Sequence, residues 1–142
     1  MVASRSSLVA GVRAKPQGYR DLEVYRRSLD ALVKVHAVAA TLPPVERFEL
    51  DSQLRRASKS IPANIAEGYA KRRSMKEFAS FLTIALGSAN EVEVHPEIAQ
   101  RLGYVAEGAQ IDLQEEYGII GRQLAALIRS VQSPREPKTS DQ

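Results

Sequence analysis

Four stretches of this chain repeat apolar residues at three- and four-residue steps, and only short connections separate them. The first runs from about Asp21 to Ala40 with Leu22, Tyr25, Leu29, Leu32, Val33, His36, Ala39 and Ala40 on one stripe. A second, from about Glu46 to Gly68, carries Leu50, Leu54, Ala57, Ser58, Ile61, Ile65 and Tyr69. Phe78, Phe81, Leu82, Ala85, Ala89 and Val92 mark the third, and Ile111, Tyr117, Ile120, Leu124, Leu127, Ile128 and Val131 mark the fourth, from about Glu107 to Gln132. Connections of about four to six residues make sequential helices antiparallel neighbours. No segment sustains strand alternation. The expected fold is all-α, an antiparallel up-down-up-down four-helix bundle over residues 19–132.

Local punctuation agrees. Leu42-Pro43-Pro44 stops the first helix because proline cannot donate the next helical hydrogen bond. Ser74 and Glu77 have the spacing of a capping box at the start of the third, and Gly103 is its expected C-terminal cap. Two prolines break the rule. Pro62 lies inside the second helix, where its ring presses on the Ser58 carbonyl at a cost of about 3 kcal/mol unless the turn opens. A kink is expected there, with Ser58 and Asn64 short and polar enough to bond freed backbone groups. The kink either curves the helix over its core or serves binding. Pro96 predicts a bend or break in the third helix, and Ala106 is a poor N-cap for the fourth.

At 142 residues, 44% hydrophobic and 26% charged, the chain has the make-up of a single soluble domain. Residues 1–18 have no acid and only a five-residue apolar run, Leu8 to Val12, too short for a secretory signal. They are expected to form a flexible tail, as are residues 133–142. No run is long enough to cross a membrane, and with no cysteine there are no disulfides or thiolate sites. Cytoplasm is the expected compartment.

The net charge of +3 hides an asymmetry. Residues 1–76 carry 15 Lys/Arg against 7 Asp/Glu, whereas residues 77–142 carry 5 against 10. On the first helix Glu23, Arg27, Asp30 and Lys34 are spaced to pair among themselves. On the second, Arg55, Arg56 and Lys59 project opposite the apolar stripe, and only Arg55 has an acid, Asp51, one turn away. Lys71, Arg72 and Arg73 follow the helix end, where its dipole favours cations, but Lys76 falls in the first turn of the next helix, where it does not. These seven residues are the candidate nucleic-acid contacts: they can track phosphates without reading bases, or form a merely solvated face. Tyr69 is the one aromatic near them.

Gly68, Gly87, Gly118 and Gly121 point to close backbone contacts, inside one bundle or between subunits. Basic and acidic halves can also meet between copies, which closes into a ring if the rotation fits. Catalytic and metal readings find little support. Val92 and Val33 stand three residues before His95 and His36, so the Glu-x-x-His pairs of carboxylate-bridged metal bundles are missing, and no P-loop, G-x-S-x-G or HExxH motif occurs. His36 reads as a hydrogen-bonded core residue, and Glu91 and Glu93 as a buried pair or plain surface acids. No catalytic residue, metal or cofactor is expected.

The stretches RDLEVYRRSLDALV, QLRRASKSIPANIAEGYAKRRSMKEFASFLTIALGSANEVEV and GRQLAALIRSVQ closely resemble a bacterial four-helix-bundle family. That family is named for proteins encoded in intervening sequences of 23S rRNA genes, and it includes the accessory variability determinant of diversity-generating retroelements. SIPANIAEG is the most specific part. The resemblance implies a non-enzymatic protein that assembles into a ring-like homopentamer. In the retroelement branch it also implies a basic surface that contacts RNA or DNA and a reverse transcriptase.

Overall fold

The computed structural model describes residues 15–133, and every regular element among them is helical. Four long helices, α1 (Glu23–Ala39), α2 (Leu50–Ala70), α3 (Met75–Arg101) and α4 (Glu107–Gln132), follow one another, with 3-10 turns at Tyr19–Asp21 and Pro44–Glu46. The flexibility expected of residues 1–14 and 134–142 lies outside the described residues. Residues 16–18, expected in the tail, are tied down: the Tyr69 hydroxyl donates to the Pro16 carbonyl at 3.2 Å and the Gln17 amide to the Asp21 carboxylate at 2.8 Å.

The tight α2–α3 turn sets the register of that pair. Ser74 caps α3 by accepting from the Glu77 amide at 3.1 Å. The other half of the expected capping box is not made; the Ser74 amide donates instead to the Lys71 carbonyl. Beside the turn, α2 comes so near α3 that a Cβ on Gly68 would lie 2.8 Å from the Phe81 Cβ and 3.3 Å from the Phe78 carbonyl oxygen. Further along, the Ser88 hydroxyl donates to the Ser60 hydroxyl at 2.9 Å, and the Asn64 amide donates to the Ser60 hydroxyl and carbonyl. The two partners of α2 thus run in reverse order along α3. The α1–α4 partners do likewise: Glu23 with Gln123, Arg27 with Glu116 and Lys34 with Asp112.

One continuous core holds Leu54, Ile61, Ile65, Leu82, Val92, Leu113, Tyr117, Ile120 and Leu124. A smaller cluster, Leu42, Leu50, Ala99 and Val105, closes the opposite end. There α3 stops as expected: Gly103 takes φ +82°, its amide donates to the Gln100 carbonyl at 3.0 Å, and the Tyr104 amide reaches Ala99 at 2.8 Å. This doubly bonded C-terminal cap needs a residue free of a Cβ penalty at positive φ.

Several expectations are corrected. The inward face of α1 is Val24, Ser28, Ala31, Val35 and Ala39, not the bulkier stripe; Leu29 and Val33 are exposed, Val33 by 65%. Small residues let the helix lie close to its neighbours, and in this rotation Arg27 and Lys34 reach acids of α4. On α4, Gln110 and Leu113 are buried where Ile111 was expected. The second helix starts at Leu50, not near Glu46, because Pro43 and Pro44 begin a 3-10 turn whose Glu46 carboxylate accepts the Leu50 amide at 3.3 Å. It also runs two residues past Gly68. Pro96 breaks nothing: α3 is continuous through it, with the ring on the buried face, where burial offsets the lost hydrogen bond. Gly87 and Gly118 do not serve close packing within the subunit: a Cβ on Gly87 meets nothing within 4 Å, and one on Gly118 meets only Arg122 of its own helix. Gly121 has ordinary contact with Leu86.

These surroundings separate two substitutions of the same kind. Gly87→Ala is expected to stabilise the subunit by about 1 kcal/mol, the helix-propensity difference. Gly68→Ala should destabilise by about 1–3 kcal/mol, because the added carbon overpacks the α2–α3 crossing. Denaturant unfolding of both variants checks the opposite signs.

Candidate nucleic-acid interface

The buried flank of α2 dictates what its other flank shows. Leu54, Ala57, Ser58, Ile61, Pro62 and Ile65 are buried, so Arg56 and Lys59 project to solvent, and both are exposed. The hydroxyl of Ser58 donates to the Arg55 carbonyl at 2.9 Å, and Asn64 serves the link to α3. Neither therefore bonds the Ser58 carbonyl, the acceptor that Pro62 leaves without its usual donor.

The seven candidate cations do not form one surface. Arg55, Arg56 and Lys59 line an open depression of about 700 Å³ on the outer side of α2, with Arg47, Phe48, Asp51, Ser52, Ser60 and Ala63. Arg72, Arg73 and Lys76 line another, with Met75 and the α4 residues Val131, Gln132 and Ser133. From Lys59 to the end of α2 the helix rises about 17 Å, so the two groups are well separated.

Their surroundings differ as well. Lys71 pairs with Glu67 at 3.5 Å. Arg72 lies over the Tyr69 ring, 4.1 Å from its centroid, and donates to the Tyr69 carbonyl at 3.0 Å. Tyr69 is a core residue, packed edge-on to Phe78, and offers no face to a base. Arg73 and Lys76 have no acidic partner among the described residues, but they sit beside the last turn of α4 as well as that of α2. Two helix C-termini favour cations there, which accounts for Lys76 despite its place in the first turn of α3. On the α2 side Arg55 is held by Asp51, whereas Arg56 and Lys59 have no acidic partner among the described residues. That pair, with Arg47, is the cationic density no helix end explains.

The sequence reading missed Arg47 and Phe48 by placing them within the second helix. Outside it, Phe48 is 85% exposed, forgoing about 1.5–3 kcal/mol of burial, and the Arg47 guanidinium lies 5.9 Å from its ring centroid. The available signal was the dense punctuation of PPVERF, an aromatic beside an arginine next to two prolines.

The remaining polar groups offer little chemistry. No group of three or more His, Asp or Glu that could hold a metal ion occurs among the described residues. His36 is half-buried with Nδ1 2.9 Å from the Leu32 carbonyl, hydrogen-bonded as expected but not in the core. Glu91 is exposed and Glu93 half-buried, so they form no buried pair. The first-helix charges are not paired only among themselves, since Arg27 and Lys34 reach Glu116 and Asp112 of α4 at 3.2 and 3.8 Å. No helix among the described residues is long and apolar enough to cross a membrane.

A family model described as 23S rRNA-intervening sequence protein matches residues 20–126, the body of the helical domain. The chain belongs to this family. A crystal structure of a protein from the S23 ribosomal protein family of Bacteroides thetaiotaomicron, described as of unknown function, is similar to it. That similarity has 28% identity and a TM-score of 0.67, covering 75% of this chain and 95% of the other. No curated protein matches the chain. For this intervening-sequence family member, the match spans both cationic groups and all but the end of α4.

The other histidine gives a pH signature. His95 lies partly buried on α3, and desolvation holds its imidazole below the ordinary value against a smaller upward pull from Glu91. A depressed folded value means protonation favours the unfolded chain. The stability is then present above the unfolded pKa of about 6.5 and is lost as pH falls through it toward the folded value. Burial raises the Glu93 carboxyl, against a smaller opposing effect of Arg122, and so contributes with the opposite sign. The informative quantity is a difference: between about pH 7 and pH 5 the thermal midpoint of the wild type should fall relative to His95→Gln.

Proposed function

We propose that this protein is a non-enzymatic, homo-oligomeric helical adaptor that binds nucleic acid, and through it or directly a nucleic-acid enzyme such as a reverse transcriptase, using the outer face of α2. The observation that carries the reading is the pair Arg56 and Lys59, without an acidic partner among the described residues and exposed beside Arg47 and Arg55 where no helix end calls for cations. Membership of the intervening-sequence family supports it. The proposed unit is an up-down-up-down bundle whose second helix bends at Pro62, working in the cytoplasm. The reversed order of side-chain partners on α1–α4 and α2–α3 supports that topology, and the donor that Pro62 withholds from the Ser58 carbonyl supports the bend. Exposed cations screened by water contribute about 1 kcal/mol or less each, so binding should be weak and tolerant of sequence.

Binding of labelled RNA and DNA at two salt concentrations tests this. Wild-type affinity should fall as salt rises, by a log–log slope of about 0.7 per single-strand phosphate neutralised. Arg56→Glu/Lys59→Glu should weaken binding more than tenfold and flatten the slope. Equal, salt-insensitive behaviour of the two proteins would remove the proposal.

A second observation supports assembly. Ile84, Gly87, Val94 and Ile98 share the outward face of α3 with the exposed Glu91, and Leu102 follows at its C-cap, the four large apolar side chains about half exposed. They extend over about 27 Å of helix, and Gly87 leaves the middle of the face open. A long face of this kind, apolar on either side of Glu91, suits contact with another protein. With the acidic second half of the chain it suits a contact with the basic half of another copy, and the resemblance suggests five copies in a ring. An alternative, with no nucleic-acid partner, spends all the charge asymmetry on this contact. Ile84→Glu/Val94→Glu is expected to shift the light-scattering mass to that of the monomer while leaving the helical circular dichroism intact. Loss of assembly in Arg56→Glu/Lys59→Glu, with no nucleic acid bound by the wild type, would favour the alternative.

A further inference from the structure

We infer that the α2 groove is built for single-stranded nucleic acid rather than duplex, with Phe48 as a base-stacking platform at one end of the cationic track. This inference rests on the nucleic-acid reading of the same face. Phe48 is the most exposed of the large apolar side chains among the described residues, yet it lies among Arg47, Arg55, Arg56 and Lys59, and the acid lining the groove, Asp51, is occupied by Arg55. An apolar protein surface seated here would have to desolvate those cations, which is costly without matching acids. Unpaired bases present the complementary chemistry: a flat apolar face for the ring and a phosphate chain for the cations. The exposed apolar face of α3 makes a useful contrast, since it has no comparable cationic border and suits a protein partner.

The groove geometry fits a strand. Ser52, Ser60 and Ala63 line it with small side chains, so a backbone can lie close to the helix while Arg56 and Lys59 reach its phosphates. The Arg47 guanidinium, 5.9 Å from the Phe48 centroid, is placed to follow a stacked base with its own plane or to take the next phosphate. In a duplex the base faces are already stacked on one another, so Phe48 gains nothing there and only the salt-dependent phosphate contacts remain.

The full chain contains no tryptophan, which makes position 48 directly observable. The probes are a labelled oligouridine, the corresponding oligothymidine and a DNA duplex of equal length, measured with wild type, Phe48→Ala, Phe48→Trp and Arg56→Glu/Lys59→Glu. Phe48→Ala should weaken single-strand binding about tenfold. It should leave duplex binding and the salt slope unchanged, because no charge is removed. Phe48→Trp should retain affinity, and its sole indole emission should be quenched on adding single strand but not duplex. A wild type and a double charge reversal that both bind nothing overturn the nucleic-acid reading and this inference with it. Salt-dependent wild-type binding that Phe48→Ala leaves unchanged overturns only the stacking platform. A smaller light-scattering mass for Phe48→Ala also overturns it, assigning the ring to a contact between proteins.

Discussion

The closeness of α2 to α3 at Gly68 governs the rest of the molecule. With the Gly68 position 2.8 Å from the Phe81 Cβ once a Cβ is drawn, the two helices cannot roll over each other without collision. Their rotation is fixed at one end by this contact and further along by the Asn64–Ser60–Ser88 hydrogen bonds. A helix held at two points has one inward flank. Ile61 and Ile65 fill it completely, and Arg56 and Lys59 are left outside. The exposed cations are thus a consequence of packing geometry as much as of composition. A rotation of α2 by a quarter turn would bring Lys59 toward the core, where an unpaired charge costs several kcal/mol.

Different parts of this arrangement were legible to different degrees. Helix number, the C-terminal cap at Gly103 and the inner stripe of α2 were readable because they depend on local periodicity and on single-residue conformational preference. The face of α1 was not. It carries two apolar stripes, and counting favours Leu29 and Val33 over the smaller Ser28 and Ala31. Close packing selected the smaller set, because ridges of Ala and Ser admit a neighbouring helix that Leu and Val would hold off. Ion pairs to Glu116 and Asp112 accompany that choice, and no spacing rule within one helix contains them.

The candidate site was half legible. Charge counting found Arg56 and Lys59, since a cation without an acid one turn away is visible in the sequence. It could not tell them from Lys76. That distinction depends on α4 ending beside the α2–α3 turn, which puts two helix C-termini near the second group. Phe48 was hidden by a boundary error of four residues. A helix begun at Glu46 absorbs it into a regular surface, whereas the 3-10 turn at Pro44–Glu46 leaves it standing in solvent.

The two outward faces have physically different strengths, and this relates them. On α2, each cation is hydrated and screened over a Debye length of about 8 Å at physiological salt, so the proposed contact of a single groove with nucleic acid would be weak whatever its shape. On α3, the apolar side chains gain by leaving water, and salt does not screen that part of the contact. A protein whose ligand contact is weak and whose self-contact is apolar benefits from repetition. Linked copies of one groove turn later binding steps into intramolecular ones, raising avidity by orders of magnitude without any new contact. In the proposed assembly, then, the α3 face supplies the multiplicity that makes the α2 face useful. A chain with only one of the two would be a passive oligomer or a negligible binder.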